Sequence, residues 1–155
     1  LPEWRGDFFG IWFTDPELPK IKIKEIEGHG SAYTLMKREH YPYFSKHFKG
    51  FAAEELYIHS KVRNNGGRCY VHQELGWIHR FLRSKPITYS LTLNDKLHNY
   101  LIASYEMGWS VKQCCDYFKR KLAEDQYTTV LNGVKAIFSD IDFENDSGKR
   151  HKEHD

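Results

Sequence analysis

Apolar residues recur at helical spacing in the last third of the chain, and this pattern predicts three helices. Thr92 and Asp95 have the spacing of a capping box at the start of the first helix, and Gly108 is placed to end it. Side chains that recur every three or four residues form the face that a helix packs on a core. In the first helix this face comprises Leu93, Leu97, Tyr100, Leu101, Ser104 and Tyr105.

The second and third helices are predicted by the same kind of pattern. Ser110 and Gln113 form a second capping box. The apolar face of the second helix comprises Val111, Cys114, Cys115 and Phe118. The inward face of the third comprises Tyr127, Val130, Leu131, Val134 and Ile137, and its outward face comprises Thr128, Thr129, Asn132 and Lys135.

Three helices with a short middle one are typical of a helix-turn-helix unit, which binds DNA. The link from Lys119 to Glu124 is longer than the three- or four-residue turn usual for that unit. A plain three-helix packing unit is therefore the alternative.

The first half of the chain favours strands and short helices. Residues 1–20 are rich in aromatic side chains and prolines, which predicts a strand and a turn packed on the core. Isoleucine and lysine alternate over 21–24, which predicts a second strand. Short helices are expected over 33–38 and over 44–50, and the pattern of 54–62 fits both a helix and a strand.

Residues 61–75 predict two extended arms that meet at a tight turn and lead into a helix. The turn is Asn64-Asn65-Gly66-Gly67, because Asn and Gly accept the positive φ angles of hairpin turns. Lys61, Arg63 and Arg68 would give the hairpin a cationic tip, and the alternative is a surface hairpin with solvated charges. The following helix would pack Leu75, Ile78, Phe81 and Leu82 on the core.

The net charge of +2 conceals an uneven distribution along the 155 residues. Between Ser31 and Thr88, ten lysines and arginines face four glutamates, so this segment carries +6 and the remainder −4. A basic segment with interleaved aromatic and histidine residues is typical of a surface that binds nucleic acid. A solvated basic surface without a partner is the alternative.

Composition narrows the class of protein. A hydrophobic content of 40% predicts a folded chain of one compact domain or two very small ones. The longest apolar run, Phe8 to Phe13, is too short to span a bilayer, so no membrane association is expected. Three cysteines, two of them adjacent, argue against a disulfide framework and favour a reducing cytoplasm.

Residues 21–85 resemble the KilA-N domain, a DNA-binding module of phages and large DNA viruses. The resemblance lies in the strand and glycine-containing loop of 23–30, in Thr34-Leu35-Met36-Lys37, and in the stretch 66–75. In that family a Gly-Gly turn precedes an aromatic residue, a small apolar residue, a histidine and an acid-leucine pair. Those places are occupied here by Tyr70, Val71, His72, Glu74 and Leu75. The resemblance implies a module of phage or mobile-element origin, used in regulators and in the targeting parts of nucleases.

Catalysis is not expected, and neither a cofactor nor a metal ion is predicted. His72 and His79 are two helical turns apart, too far to share one ion, and Cys114 and Cys115 point in different directions on a helix. Nucleophile-elbow and phosphate-loop motifs are absent from the sequence. The alternatives are a small metal-dependent endonuclease of homing type, or the DNA-targeting domain of one, and a protein-interaction module that uses the aromatic N-terminus.

The sequence thus predicts an α+β protein that binds double-stranded DNA sequence-specifically, as a transcriptional regulator or repressor in the cytoplasm of a bacterial host. Its parts would be an N-terminal strand and turn (1–20), a KilA-N-like module with a small sheet or hairpin and short helices (21–88), a helix-turn-helix-like or dimer-forming segment (89–139), and a disordered polar tail (140–155). The predicted DNA-binding residues are Lys37, Arg38, Lys46, Lys49, Lys61, Arg63, Asn64, Asn65, Arg68, Thr128, Thr129, Asn132 and Lys135.

Overall fold

The computed structural model describes residues 4–5, 8–9, 21–30, 34–75, 86–89 and 91–148. Over these residues the protein is α+β, as predicted, with short antiparallel strand pairs and four α-helices. The strands are β1 (Trp4–Arg5), β2 (Phe8–Phe9), β3 (Ile23–Glu25) and β4 (Tyr70–His72). The helices are α1 (Glu54–Asn64), α2 (Leu93–Met107), α3 (Val111–Lys119) and α4 (Glu124–Ile137). In this part of the chain, no helix combines the length and the apolar character needed to cross a membrane.

The strands form two separate antiparallel pairs. β1 pairs with β2 and also contacts α3. β3 is the strand predicted from the alternation over 21–24, and it pairs with β4 in the register Ile23 with His72, Lys24 with Val71 and Glu25 with Tyr70. The second pair therefore joins two segments that are far apart in the sequence.

The predicted hairpin at Asn64-Asn65-Gly66-Gly67 is wrong, because the first arm belongs to α1. Gly66 has a φ of 78°. Its N–H donates to the Arg63 carbonyl at 2.9 Å, and the Gly67 N–H donates to the Val62 carbonyl at 2.9 Å. This pair of bonds is the Schellman motif that ends helices. A Cβ on Gly67 would lie 2.8 Å from Val62 Cγ1, so the second glycine is needed for the close approach.

The short helix predicted over 44–50 is not formed, and the one predicted over 33–38 is replaced, in its described part, by irregular backbone and a 3₁₀ turn at Arg38–His40. The reason lies in α2. The Asn99 side chain accepts a hydrogen bond from the Lys49 N–H at 2.8 Å and donates to the carbonyls of Lys49 and Ala52 at 2.6 and 3.3 Å. The backbone groups of this stretch are thus satisfied by a tertiary partner instead of a local helix.

Residues 34–53, called the 34–53 segment below, enter α1 through an unusual backbone. Gly50, Ala52 and Ala53 have φ angles of 55°, 104° and 69°. Left-handed conformations are costly for residues with a Cβ and persist only where the surroundings hold them. Both alanines are buried, and the Ala52 carbonyl accepts one of the Asn99 hydrogen bonds.

The three helices predicted in the last third are confirmed, with their caps. The Thr92 hydroxyl accepts from the Asp95 N–H, Gly108 ends α2 in the left-handed conformation, and the Ser110 hydroxyl accepts from the Gln113 N–H. α2 packs against α1, α3 and α4. The core shared by α2, α3, α4 and the segment after α4 comprises Leu97, Leu101, Ile102, Val111, Cys114, Cys115, Phe118, Val134 and Ile141.

Two further expectations about this region need correction. The link between Lys119 and Glu124 has the usual length for a helix-turn-helix, since four residues separate α3 from α4. The tail predicted from Asp140 is ordered as far as Gly148, because Ile141 is only 2% exposed and the Asp146 carbonyl accepts from the Lys112 N–H. Residues 149–155, and the helix predicted across 76–85, lie outside the described residues.

We expect Asn99→Ala to lower the free energy of unfolding by roughly 2–4 kcal/mol, because it leaves the polar groups of the buried loop backbone without partners. Asn99 is 2% exposed. Asn94→Ala, the same change nearer the start of α2, is the matched control and should cost much less. Urea unfolding followed by circular dichroism measures both, and equal losses would contradict the assigned role of Asn99.

We also expect the protein to lose stability as the pH falls below about 6.5, the ordinary histidine pKa. Burial lowers the pKa of His98, whose ring donates to the His47 carbonyl at 2.9 Å, and burial likewise lowers the pKa of His59. The unfolded chain then binds more protons than the folded chain, so the free energy of unfolding falls with decreasing pH, by at most about 1.4 kcal/mol per pH unit for each ring.

The fall in the free energy of unfolding at low pH should be smaller in His98→Gln. Glutamine keeps a hydrogen-bond donor near the His47 carbonyl but does not titrate. His40→Gln changes an exposed histidine and is the control. Urea midpoints between pH 5 and 8 give the comparison. A wild-type midpoint that is flat across this range would show that neither buried ring contributes.

Candidate nucleic-acid interface

Four of the predicted DNA-binding cations lie in the 34–53 segment, and all four are exposed: Lys37, Arg38, Lys46 and Lys49. Lys37 lies 3.9 Å from the Glu39 carboxylate, an exposed pair that salt and water screen strongly. Because buried side chains of α2 hold the backbone at His47 and Lys49, Lys46 and Lys49 project from a fixed path. The segment therefore presents an ordered cationic surface.

Exposed aromatic side chains lie among these cations. Tyr43 is 68% exposed and Phe44 is 46% exposed, and we call these two residues the aromatic pair. The half-buried Tyr41 ring meets both at steep angles, with centroids 5.1 Å from Tyr43 and 6.2 Å from Phe44. Sequence reasoning missed the pair, because it placed Phe44 on a helix. The signal was the alternation of aromatic residues with lysines over 43–49.

Lys61 joins α1 to the aromatic pair. Its ammonium donates to the Tyr43 carbonyl at 3.1 Å and lies 5.1 Å from the centroid of the Tyr57 ring. Asn64 and Asn65 follow three and four residues later, so they lie on the same side of the helix end as Lys61. Both are exposed, and Asn64 also contacts the Met107 sulfur at 3.9 Å.

The half-buried carboxylate of Glu106 also fixes the 34–53 segment. The Tyr57 hydroxyl donates to Glu106 Oε2 at 2.5 Å, and the Ser45 hydroxyl donates to Glu106 Oε1 at 2.8 Å. Burial, together with the neighbouring carboxylate, raises the pKa of Tyr57 well above its usual range. The hydroxyl therefore keeps its proton and holds the loop, α1 and α2 together.

The other two predicted hairpin cations are engaged within the protein. Arg63 Nη2 donates to the Ser60 hydroxyl at 3.1 Å, and its Nη1 is shielded from solvent near Cys69. Burial raises the pKa of the Cys69 thiol, and the Arg63 guanidinium offsets part of that effect. Arg68 is exposed and lies 3.9 Å from the Glu25 carboxylate across the β3–β4 pair. Arg63 therefore presents less free charge than the lysines of the 34–53 segment, whereas the exposed pair of Arg68 and Glu25 is screened as strongly as that of Lys37 and Glu39.

The predicted outward face of α4 is exposed, as expected, at Thr128, Thr129, Asn132 and Lys135. Two of these side chains are already bonded: the Thr129 hydroxyl donates to the Asp125 carbonyl at 2.7 Å, and Lys135 Nζ donates to the Ile141 carbonyl at 2.7 Å. Thr128 and Asn132 are four residues apart and share one exposed face.

A cleft of about 700 Å³ lies between α3, α4 and the segment after α4. Its charged lining has both signs, with lysines and carboxylates interspersed, and Lys112 pairs with Asp116. Burial raises the pKa of the Cys115 thiol at its wall to about 11, so this thiol is protonated and unreactive at neutral pH. The cleft offers no evident nucleophile and no preference for one charge.

Two histidines come together near the β3–β4 pair. The rings of His29 and His59 are 4.8 Å apart, and their Nδ1 atoms bond to the carbonyls of Gly30 and Glu55 at 2.6 Å each. Over the described ranges, no group of three or more His, Cys, Asp or Glu side chains is arranged to hold a metal ion. His72 makes a local hydrogen bond, in which its ring accepts from the Glu74 N–H at 3.3 Å.

Comparison with known proteins adds no assignment: no family model, curated protein or solved structure matches this chain.

Proposed function

We propose that this protein binds double-stranded DNA sequence-specifically, as a transcriptional regulator or repressor of phage or mobile-element type that acts in the bacterial cytoplasm. The observation that carries the proposal is the ordered cationic surface of the 34–53 segment, extended by Lys61 at the end of α1. Phosphate contacts supply most of the sequence-independent affinity for DNA. A surface that is already ordered loses little conformational entropy on binding.

The β3–β4 pair supports the KilA-N-like part of the proposal. Two of the segments that carry that resemblance are 23–30 and 66–75. Their strands pair directly, with Lys24 opposite Val71. A resemblance divided between distant parts of the sequence is more persuasive when those parts meet in space.

Helix α4 supplies the proposed contact with bases. Thr128 and Asn132 are exposed on one face, and asparagine is able to bond adenine at two atoms in the major groove. The four-residue link from α3 fits a helix-turn-helix arrangement, in which α4 would be the recognition helix. A homodimer would place two such helices on an inverted repeat.

If all four cations of the 34–53 segment neutralise phosphates, the logarithm of the affinity should fall with the logarithm of salt concentration, with a slope steeper than about −3. Lys46→Gln and Lys49→Gln should each flatten the slope by about 0.9, because each removes one contact. Lys119→Gln removes an exposed charge on α3 and is the matched control. Fluorescence anisotropy with a labelled duplex gives the slopes. A wild-type slope near zero would exclude nucleic-acid binding.

Asn132→Ala should relax sequence preference by about 1–3 kcal/mol at one position and leave non-specific binding unchanged. Selection from a random duplex library, followed by binding to the winner and to a scrambled duplex, measures both quantities. Gln126→Ala changes another exposed amide on α4 and is the control. Should the preference survive Asn132→Ala intact, α4 does not read the bases through this residue.

A further inference from the structure

The aromatic pair is exposed in a way that packing does not explain. Single exposed apolar residues are ordinary. Here two adjacent aromatic side chains, Tyr43 and Phe44, stay 68% and 46% exposed although Tyr41 contacts both. Phe51, in the same segment, is 40% exposed, but its ring stacks on Tyr89 at 6.0 Å and 20°. Phe48 packs within the protein, with its ring centroid 4.9 Å from that of Tyr57, whereas the aromatic pair faces solvent.

The aromatic pair is held in place by several independent contacts. Tyr43 has a φ of 55°, a left-handed conformation that a bulky residue rarely adopts. Lys61 bonds its carbonyl on one side, and Ser45 is bonded to Glu106 on the other. Backbone strain of this kind persists only where the surroundings fix it. The two rings are therefore presented on a fixed backbone, and little order has to be gained when a ligand stacks on them.

The positively charged side chains around the aromatic pair indicate the chemical class of its ligand. Arg38 and Lys46 flank it in the sequence and are exposed, and Lys61 lies against its backbone. Exposed aromatic rings among cations are the combination that binds unpaired nucleotides, since the rings stack on bases and the cations contact phosphates. In an intact duplex, each base face is already covered by its neighbours. An aromatic side chain therefore finds a free base face only where the strand is unpaired.

We propose that Tyr43 and Phe44 stack on the unpaired bases of a single-stranded nucleic-acid segment. This inference rests on the proposed function and specifies it further: the 34–53 segment would take an unpaired stretch adjoining the duplex that α4 contacts. The preferred ligand of the full chain is then a duplex with a single-stranded extension.

The test compares three labelled DNAs: a single strand, a blunt duplex and the same duplex with a single-stranded overhang. The full chain should bind the overhang duplex more tightly than the blunt one. Tyr43→Leu and Phe44→Leu should each weaken binding to the single strand and to the overhang by roughly five- to 100-fold, as loss of a base-stacking ring does. Binding to the blunt duplex should change less than twofold.

Three controls separate stacking from its alternatives. Tyr43→Phe keeps the ring and should keep the affinity. Leu91→Ala removes an apolar side chain that is 49% exposed and should change nothing. A 2-aminopurine placed in the overhang should be quenched by the wild type and much less by Phe44→Leu. Phe44, unlike Tyr43, does not have a positive φ, so this substitution does not disturb a strained backbone.

The outcomes distinguish this inference from the proposed function. If the protein binds all duplexes equally and the leucine variants lose nothing on single strands, stacking is wrong while duplex binding stands. If no DNA binds, both are wrong. Self-association that Phe44→Leu abolishes, with unchanged DNA binding, would assign the aromatic pair to a second copy of the chain and overturn the inference.

Discussion

The hydrogen bonds of the buried Asn99 amide determine the backbone path of the 34–53 segment, which carries the candidate cationic surface. They hold both polar groups of the Lys49 backbone and the carbonyl of Ala52. A helix over 44–50 would use the Lys49 N–H for a bond to the Ser45 carbonyl, and this donor is instead bonded to Asn99. The chain instead takes an irregular path, and residues such as Phe44, which a helix would have turned toward the core, remain at the surface.

Helix α2 has two buried faces of opposite character. Its apolar face packs against α3 and α4 and includes Leu97 and Leu101. Elsewhere on the same helix, His98, Asn99 and Glu106 bind the 34–53 segment through side-chain hydrogen bonds. Buried polar groups are stabilising only when they are paired, and each of these has its partner in that segment. The loop and the helical core are therefore parts of one structure.

The sequence predicted the last third of the chain because the information there is local. Capping at Thr92 and Ser110 and the apolar spacing of α3 are properties of neighbouring residues. The neighbouring residues alone do not determine the conformation of Asn64-Asn65-Gly66-Gly67, since glycine accepts a positive φ both in hairpin turns and at helix ends. The burial of Tyr57 and Ile58 with Ala103 and Met107, which are distant in sequence, favours the helix. The irregular backbone over 44–50 likewise depends on distant partners, and for this reason the sequence pattern did not predict it.

The candidate interface was predictable as a region but not in the roles of its residues. Charge counting located the basic segment, yet it treats every cation alike. The structure separates the exposed Lys46 and Lys49 from Arg63, whose guanidinium is partly buried and bonded to Ser60. An internally bonded cation must give up its partner before it meets a phosphate, so it contributes less to binding than its charge suggests. We therefore expect the lysines of the 34–53 segment to contact the phosphates. We expect the aromatic residues between them to contact the bases.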